Sequence, residues 1–261
     1  MIRADVLLTL YGHTPSRTLA AKLIQEGRVF VDGAQVKKPS QPIPEFCRIE
    51  VKDSPLTRYV GRGGLKLEEA LRVFSLDVGG LTCLDVGAST GGFTDCLLKH
   101  GAKKVYAVDV GTAQLHPSLR FDKRVVCMEN TNAKSLRRED FDSPLALAVM
   151  DVSFVGQSGF YPVLAELLPV GAGAVTLIKP QFEVGRENVG KNGIVKNEKA
   201  VQRVVDTLGL LAKQAGFERV GLCESPITGG DGNREFLQYL RRVNEHGSDQ
   251  ADSLGSQRHQ G

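Results

Sequence analysis

The sequence contains no tryptophan, few aromatic residues and no long apolar run. Aromatic residues make up 6% of its 261 positions, and no segment reaches the roughly 18 consecutive apolar residues of a membrane-spanning helix. A membrane-active lysin would otherwise use a basic amphipathic helix with exposed aromatic residues, and that pattern is absent as well. The N-terminal residues M-I-R-A-D lack a signal-peptide pattern. We therefore expect a soluble cytoplasmic protein that does not act on membranes.

Cysteines with metal-ligand spacing are also missing. The five cysteines are odd in number and scattered, and no two stand in C-x-x-C spacing. Zinc sites and disulfide frameworks both need regular cysteine patterns, so the sequence indicates neither. We expect no bound metal and reduced thiols at all five positions, which are Cys47, Cys83, Cys96, Cys127 and Cys223.

The charge is only mildly positive, at +3, and that value alone does not indicate a nucleic-acid partner. Residues 1–60 carry nine Lys/Arg against six Asp/Glu. A compact unit with one basic face would suit phosphate binding. An ordinary solvated face is the alternative, and the charge alone favours it. The basic residues of this face are Arg17, Lys22, Arg28, Lys37 and Lys38.

The first 53 residues have the pattern of a small helix and hairpin unit. Thr14-Pro15-Ser16 predicts a helix start, with a capping hydroxyl followed by proline in the first turn, and Gly27 predicts its end. The segment R-V-F-V-D-G-A-Q-V predicts a hairpin with a type I′ turn at Asp32-Gly33. Val29 and Val31 would share one strand face.

From residue 63 the sequence alternates between strand and helix patterns. This alternation is typical of a parallel sheet covered on both faces, here an α/β fold of seven strands. A short glycine-rich connection before the last strand predicts that this strand is antiparallel. Strands are predicted at 81–86, 104–109, 124–128, 146–151, 173–178, 218–223 and 235–240, and the clearest helices at 63–75, 93–100, 158–168 and 196–215. We expect an N-terminal domain at 1–57, a linker at 58–62, an α/β domain at 63–243 and a disordered tail at 244–261.

Residues 83–93, C-L-D-V-G-A-S-T-G-G-F, predict a cofactor site. A buried strand is predicted to end in the acid Asp85, and a glycine turn and a helix start follow. The next strand ends at Asp109, and an acid there suits ribose hydroxyls. Glycines let the backbone approach a ligand closely. Because the spacing is not G-x-G-x-x-G, a hydride-transfer dinucleotide fits poorly.

Further charged residues stand where the sheet would bind its ligand. Ligands of open α/β sheets bind beyond the carboxyl ends of the strands, and Asp151 and Lys179 are predicted at two such ends. A single lysine there is usually salt-bridged, but a neighbouring Asp151 favours a site. Lys66 and Glu235 begin a predicted helix and the last predicted strand. Each alone would more often be a surface charge.

Taken together, these residues resemble a known family. Lys66, Asp151, Lys179 and Glu235 around a glycine loop resemble the Lys-Asp-Lys-Glu tetrad of FtsJ-like ribose 2′-O-methyltransferases. The sequence is most similar to the TlyA, or hemolysin-like, rRNA methyltransferases, and residues 1–57 resemble their S4-like RNA-binding domain. The matching motifs are R-G-G-L-K-L (62–67), D-V-G-A-S-T-G-G-F-T (85–94), D-V-S-F (151–154), K-P-Q-F-E (179–183), G-N-R-E-F (232–236) and, in the first domain, S-R-T-L-A-A-K-L-I-Q-E-G (16–27) and V-F-V-D-G (29–33). The linker differs, since Thr57-Arg58-Tyr59-Val60 lacks the leading Arg and the Trp of some members.

The resemblance implies methyl transfer from S-adenosylmethionine to a ribose 2′-hydroxyl of cytidine in 16S or 23S rRNA, or both, within an assembled ribosomal subunit. It implies that Lys179 is the base. Lys66 would lower the pKa of Lys179 by charge repulsion, and Asp151 and Glu235 would orient the two lysines. The implied cofactor-binding residues are Asp85, Gly87, Ala88, Ser89, Gly91, Gly92, Phe93, Asp109 and Asn132. The implied RNA-binding residues are Arg3, Arg17, Lys22, Arg28, Lys37, Lys38 and Arg62.

Several of these roles have structural alternatives. Asn132 would contact adenine or serve as a turn residue, and Phe93 would contact the cofactor or belong to the core. Ser153-Phe154 would line a pocket for the target base or form a plain turn. For the whole protein, the other hypotheses are a hemolysin-like membrane-active protein, a non-catalytic RNA-binding or ribosome assembly factor, and a small-molecule methyltransferase. The last would leave the N-terminal domain without a role.

Overall fold

The structure is a computed structural model that describes residues 1–14, 16–54, 57–153, 156–230 and 232–244. The chain divides into two compact units, Met1–Arg62 and Gly63–Gly261. The tail predicted at 244–261 lies outside the described residues from position 245 on. Within the described residues, no helix is both long and apolar enough to cross a membrane.

The N-terminal unit packs two helices beside short antiparallel strands. Its elements are β1 (Ile2–Arg3), α1 (Ala4–Leu10), α2 (Arg17–Gln25), β2 (Val29–Val31), β3 (Ala34–Gln35), β4 (Pro42–Ile43) and β5 (Ile49–Val51). β2 is the central strand between β3 and β5, and β1 pairs with β4. Apolar side chains from both helices and from β2 form one buried core.

The sequence predicted the hairpin correctly but placed the helix start too early. Asp32 and Gly33 both have positive φ, as a type I′ turn requires, and Val29 and Val31 are buried on one face. Gly27 follows the end of α2 with φ +69°. The helix cap, however, is Ser16, whose hydroxyl accepts a hydrogen bond from Leu19 N at 3.2 Å. Thr14 is therefore not the cap, and Pro15 lies outside the described residues.

The C-terminal unit is a seven-stranded sheet with helices. Its strands are β6 (Thr82–Val86), β7 (Lys104–Val108), β8 (Val125–Met128), β9 (Leu147–Met150), β10 (Gly173–Ile178), β11 (Phe217–Glu224) and β12 (Phe236–Arg242). Its α-helices are α3 (Gly63–Val73), α4 (Gly92–Lys99), α5 (Pro117–Arg120), α6 (Tyr161–Leu167) and α7 (Glu198–Gln214). The strand order is β11-β12-β10-β9-β6-β7-β8, and β12 runs antiparallel to both of its neighbours.

This topology confirms the predicted fold class. All seven strands lie within two residues of the predicted bounds, because turn residues bound each strand and most of the strands are short apolar runs. The antiparallel β12 follows from its short connection to β11. The carboxyl ends of β6, β7, β9 and β10 and the start of β12 therefore lie along one edge of the sheet.

Candidate active site

The sheet edge brings three of the predicted catalytic residues and two of the predicted cofactor-binding residues into one row. Asp109, Asp151 and Lys179 directly follow β7, β9 and β10, and Asp85 lies one residue before the end of β6. Glu235 directly precedes β12, whose Phe236 pairs with Ile178. In the order of the strands, the row runs from Glu235 through Lys179 and Asp151 to Asp85 and Asp109.

Lys179 has two polar partners at this edge. Its ammonium forms an ion pair with the Asp151 carboxylate, and it donates a hydrogen bond to Ser153 Oγ at 2.7 Å. The Lys179 side chain is only 11% exposed. A lysine this far from water needs polar partners. Asp151 and Ser153, which follow β9, supply them.

Lys66 forms the second ion pair of the site. Its ammonium donates to the Glu235 carboxylate, and the two side chains are 10% and 2% exposed. Lys66 comes from α3, which packs against α4 and β12. The four tetrad residues are thus two lysine–carboxylate pairs, each joining two different elements.

Asn233 holds the segment before Glu235 in place. It is 1% exposed. Its side-chain oxygen accepts from Val195 N at 2.9 Å, and its side-chain nitrogen donates to Gly193 O at 2.8 Å. The motif G-N-R-E-F contains this residue, but no role was predicted for it. An asparagine directly after Gly232 in a glycine-rich turn was the available signal.

Asp85 is a fully buried carboxylate with one open oxygen. Its Oδ2 accepts from Thr94 Oγ1 at 2.6 Å, whereas no described residue donates to its buried Oδ1. Burial raises the pKa of Asp85 to about 7, against the lowering effect of the Thr94 hydrogen bond, and the Asp151 charge adds to the increase. A buried acceptor without a donor is suited to a cationic ligand group.

The loop glycines are required by contacts within the protein. Gly87 has φ +80°, and a Cβ there would lie 2.6 Å from the Asp151 backbone oxygen. Gly91, at φ +94°, would place a Cβ 2.3 Å from Leu119 Cδ1. The N–H groups of Gly87 and Ala88 both donate to Val108 O. These residues therefore shape the loop after β6, and Gly92 begins α4 behind it.

Asp109 joins this loop to the one after β7. Its two oxygens accept from Ser89 N at 2.8 Å and Gly111 N at 2.7 Å. A carboxylate oxygen has a second lone pair, so both oxygens can still accept from a ligand hydroxyl. Ser89 has φ 49°, a left-handed conformation that places its N–H within this bond.

Glu129, for which no role was predicted, shapes the neighbouring loop. It directly follows β8 and accepts from the N–H groups of Ala113, Gln114 and Leu115 and from Arg120. These hydrogen bonds, that of Leu115 first, lower the pKa of Glu129 to about 2. The signal in the sequence was an acidic residue at the end of a predicted strand, which is the same pattern that identified Asp109.

Two predicted cofactor contacts have structural roles in this arrangement. Asn132 caps a short 3-10 helix, because its Oδ1 accepts from Lys134 N at 3.0 Å. Phe93 is 3% exposed, and a Cβ on Gly63 would lie 3.4 Å from its ring. Phe154, predicted beside Ser153, lies outside the described residues.

The predicted RNA-binding residues of the N-terminal unit are largely exposed. Arg3, Lys37, Lys38 and Arg62 are exposed, and Lys22 and Arg28 are half-buried. Arg3 and the exposed Arg17 both bind the Asp5 carboxylate, at 3.0 Å and 2.9 Å. These guanidinium contacts, that of Arg3 first, lower the pKa of Asp5 to about 2. Asp5 thereby fixes two cations on the surface.

Known proteins match both units. The model of the FtsJ-like methyltransferase family matches residues 59–242, and that of the S4 domain matches residues 2–46. "Putative rRNA methyltransferase YqxC" of Bacillus subtilis is 46% identical over 91% of this chain and 85% of its own length. The 16S/23S rRNA (cytidine-2′-O)-methyltransferase TlyA of Mycobacterium tuberculosis is 41% identical over 92% of this chain and 89% of its own.

A solved structure described as "Putative hemolysin from Streptococcus thermophilus" gives a TM-score of 0.74 at 44% identity, over 93% of this chain and 88% of that one. These matches span both units and agree with the motifs that carried the family resemblance. The chain therefore belongs to the FtsJ-like methyltransferase family, among its TlyA-type members with an N-terminal S4 domain.

Proposed function

We propose that this chain is an S-adenosylmethionine-dependent rRNA (cytidine-2′-O)-methyltransferase that acts on 16S rRNA, 23S rRNA or both. The observation that carries the proposal is the pair of lysines at the sheet edge. Lys179 is held by Asp151 and Lys66 by Glu235, beside the acids that would bind the cofactor. TlyA of Mycobacterium tuberculosis has this activity by name.

S-adenosylmethionine supplies a methyl group that is already activated on a sulfonium. Asp85 would bind the ammonium of its methionine part, since the buried Oδ1 has no donor among the described residues. Asp109 would accept from the ribose hydroxyls. The loop formed by Gly87, Ala88, Ser89, Gly91 and Gly92 supports both acids, and Phe93 and Asn132 would complete the site.

Lys179 is the base in this proposal. A ribose hydroxyl is a very weak acid, so a positioned base near it accelerates the reaction. In its neutral form, Lys179 accepts the proton that the 2′-hydroxyl loses as its oxygen is methylated. Lys66 lies on a separate element with its charge balanced by Glu235, and it stabilises the negative charge that develops on the oxygen.

The N-terminal unit selects RNA in this proposal. Arg3, Arg17, Lys37, Lys38 and the other exposed cations would contact phosphates, which gives affinity without sequence specificity. Sequence-specific RNA recognition favours single-stranded or splayed-out nucleotides, so we expect the target cytidine to be flipped or single-stranded when it binds at the sheet edge. We therefore place the enzyme in the cytoplasm, acting on an assembled ribosomal subunit.

The test is transfer of a tritiated methyl group from S-adenosylmethionine to purified 30S and 50S subunits lacking the modification. Naked 16S and 23S rRNA serve as parallel substrates. We expect label in at least one RNA, more with subunits than with naked RNA, and none with Lys179→Ala. Absence of transfer to every substrate, or full transfer by the variant, would contradict the proposal.

A further inference from the structure

Ser153 is a second partner of Lys179 that lies outside the tetrad. Its Oγ accepts from Lys179 Nζ at 2.7 Å, while Asp151 binds the same ammonium. Ser153 stands two residues after Asp151 and is exposed, at the rim of the site. The sequence suggested a place in the base pocket or a plain turn for Ser153, and the contact with Lys179 is neither.

We propose that Ser153 is a positioning residue that fixes the direction in which Lys179 presents its lone pair to the acceptor hydroxyl. This inference rests on the proposed function, because it assigns a task to the base of that reaction. Ser153 need not touch the substrate for this role. It acts through Lys179 alone.

The geometry follows from the tetrahedral nitrogen. A lysine Nζ has one bond to carbon and three remaining directions, which are three N–H bonds in the ammonium and two N–H bonds plus a lone pair in the neutral amine. Asp151 and Ser153 occupy two of the three directions. The third, from which the proton leaves and to which a new proton returns, is then fixed in space.

One partner alone would not achieve this. With only the carboxylate of Asp151, the amine could rotate about its bond to carbon and turn the lone pair away from the substrate. The hydroxyl of Ser153 adds a neutral acceptor, and its bond to an N–H persists when Lys179 loses its proton. Proton transfer depends steeply on alignment, so a loss of this second contact should slow the chemical step.

The experiment compares Ser153→Ala, Ser153→Thr and a matched control, Ser158→Ala, in the full chain. Ser158 lies on the 3-10 helix Gln157–Phe160 of the same connection, and we assign it no part in catalysis. We expect Ser153→Ala to lower kcat on the rRNA substrate by roughly 10- to 100-fold. The KM for RNA and the Kd for S-adenosylmethionine should stay within about two-fold. Ser153→Thr keeps a hydroxyl and should restore kcat to within a few-fold, and Ser158→Ala should match the unchanged chain.

The outcomes separate this inference from the proposed function. If the unchanged chain transfers methyl groups and Ser153→Ala retains full kcat, the inference is wrong and the proposed function stands. The inference is also wrong if Ser153→Thr is as slow as Ser153→Ala, or if the loss appears only in KM or cofactor binding. If the unchanged chain transfers no methyl group, the proposed function fails and the inference falls with it.

Discussion

The Lys179 ammonium and the Asp151 carboxylate form an ion pair that joins the ends of two neighbouring parallel strands. Both residues directly follow their strands, β10 and β9, so the register of the sheet determines their approach. Substitutions at either position should therefore alter the geometry at the centre of the row.

Lys179→Ala tests the base. We expect methyl transfer to fall by about 100- to 10,000-fold, the range that a general base contributes. Binding of S-adenosylmethionine should be nearly unchanged, because Asp85 and Asp109 lie beyond Asp151 in the row. Single-turnover kinetics and isothermal calorimetry measure the two quantities. A variant that loses cofactor binding and turnover together would instead assign Lys179 to the cofactor site.

Glu235→Gln tests the buried ion pair. It would leave the Lys66 ammonium, whose side chain is 10% exposed, without its carboxylate. Removing one partner of a buried pair costs about 3 kcal/mol or more, so the urea midpoint should fall clearly. Glu69→Gln is the matched control. Glu69 lies on α3, the helix that carries Lys66, and its substitution removes an ion pair with Arg72, whose side chain is 69% exposed. Equal midpoints for the two variants would show that the Lys66 pair contributes little to stability.

The protonation of Asp85 should make the affinity for the cofactor depend on pH. Burial raises its pKa from 3.8 to about 7. The protonated carboxyl therefore stabilises the folded state fully below about pH 4, and this stabilisation is lost as the pH rises to about 7. A bound ammonium favours the carboxylate, and binding should therefore be weaker where Asp85 is protonated. We expect S-adenosylhomocysteine to bind about eight-fold more weakly at pH 6 than at pH 7.5, which is the ratio of the ionised fractions of a carboxyl with a pKa of about 7.

The control for this titration is Asp85→Asn, which has the same shape but does not ionise. Its affinity should be lower and should lack the increase between pH 6 and pH 7.5. Calorimetry at several pH values measures both variants. If the variant retains the same pH dependence as the unchanged chain, another group is responsible for it.

Gly87→Ala tests the close approach of the glycine loop to Asp151. The new Cβ would lie 2.6 Å from a backbone oxygen that cannot move cheaply, at φ +80°. Gly171→Ala is the control, because its φ is +89° and no heavy atom lies within 4 Å of its Cβ position. Both variants bear the left-handed strain of about 1 kcal/mol. Only Gly87→Ala should lose more than about 1 kcal/mol of folding stability, and only this variant should also lose methyl-transfer activity. Thermal unfolding and methyl transfer would detect the difference, and equal losses would contradict the steric account.

Much of the C-terminal fold was predictable because most of its strands are short apolar runs between clear turn signals. The rule that ligands bind at the carboxyl ends of strands placed Asp109, Asp151 and Lys179 at one edge. The family motifs then added Lys66 and Glu235. The hairpin at Asp32-Gly33 was predictable for the same reason, since its turn residues tolerate positive φ.

Other features depend on contacts that a single sequence does not reveal. The short helix α1 has no capping side chain, and its start gave no signal. Ser153 and Glu129 act through partners that are distant in sequence or on the backbone. The need for glycine at position 87 arises from the Asp151 backbone, 64 positions later. These contacts form only when the folded sheet brings the strands into register, so a single sequence does not show them.

The central claim concerns the chemistry of the product, and nucleoside analysis tests it most directly. Ribosomal subunits treated with the unchanged chain and S-adenosylmethionine are digested to nucleosides and analysed by mass spectrometry. The account predicts 2′-O-methylcytidine, gained at a defined rRNA position that is unmethylated in a strain without this gene. A methyl group on a nucleobase, or no new methylated nucleoside with an active preparation of subunits, would contradict it.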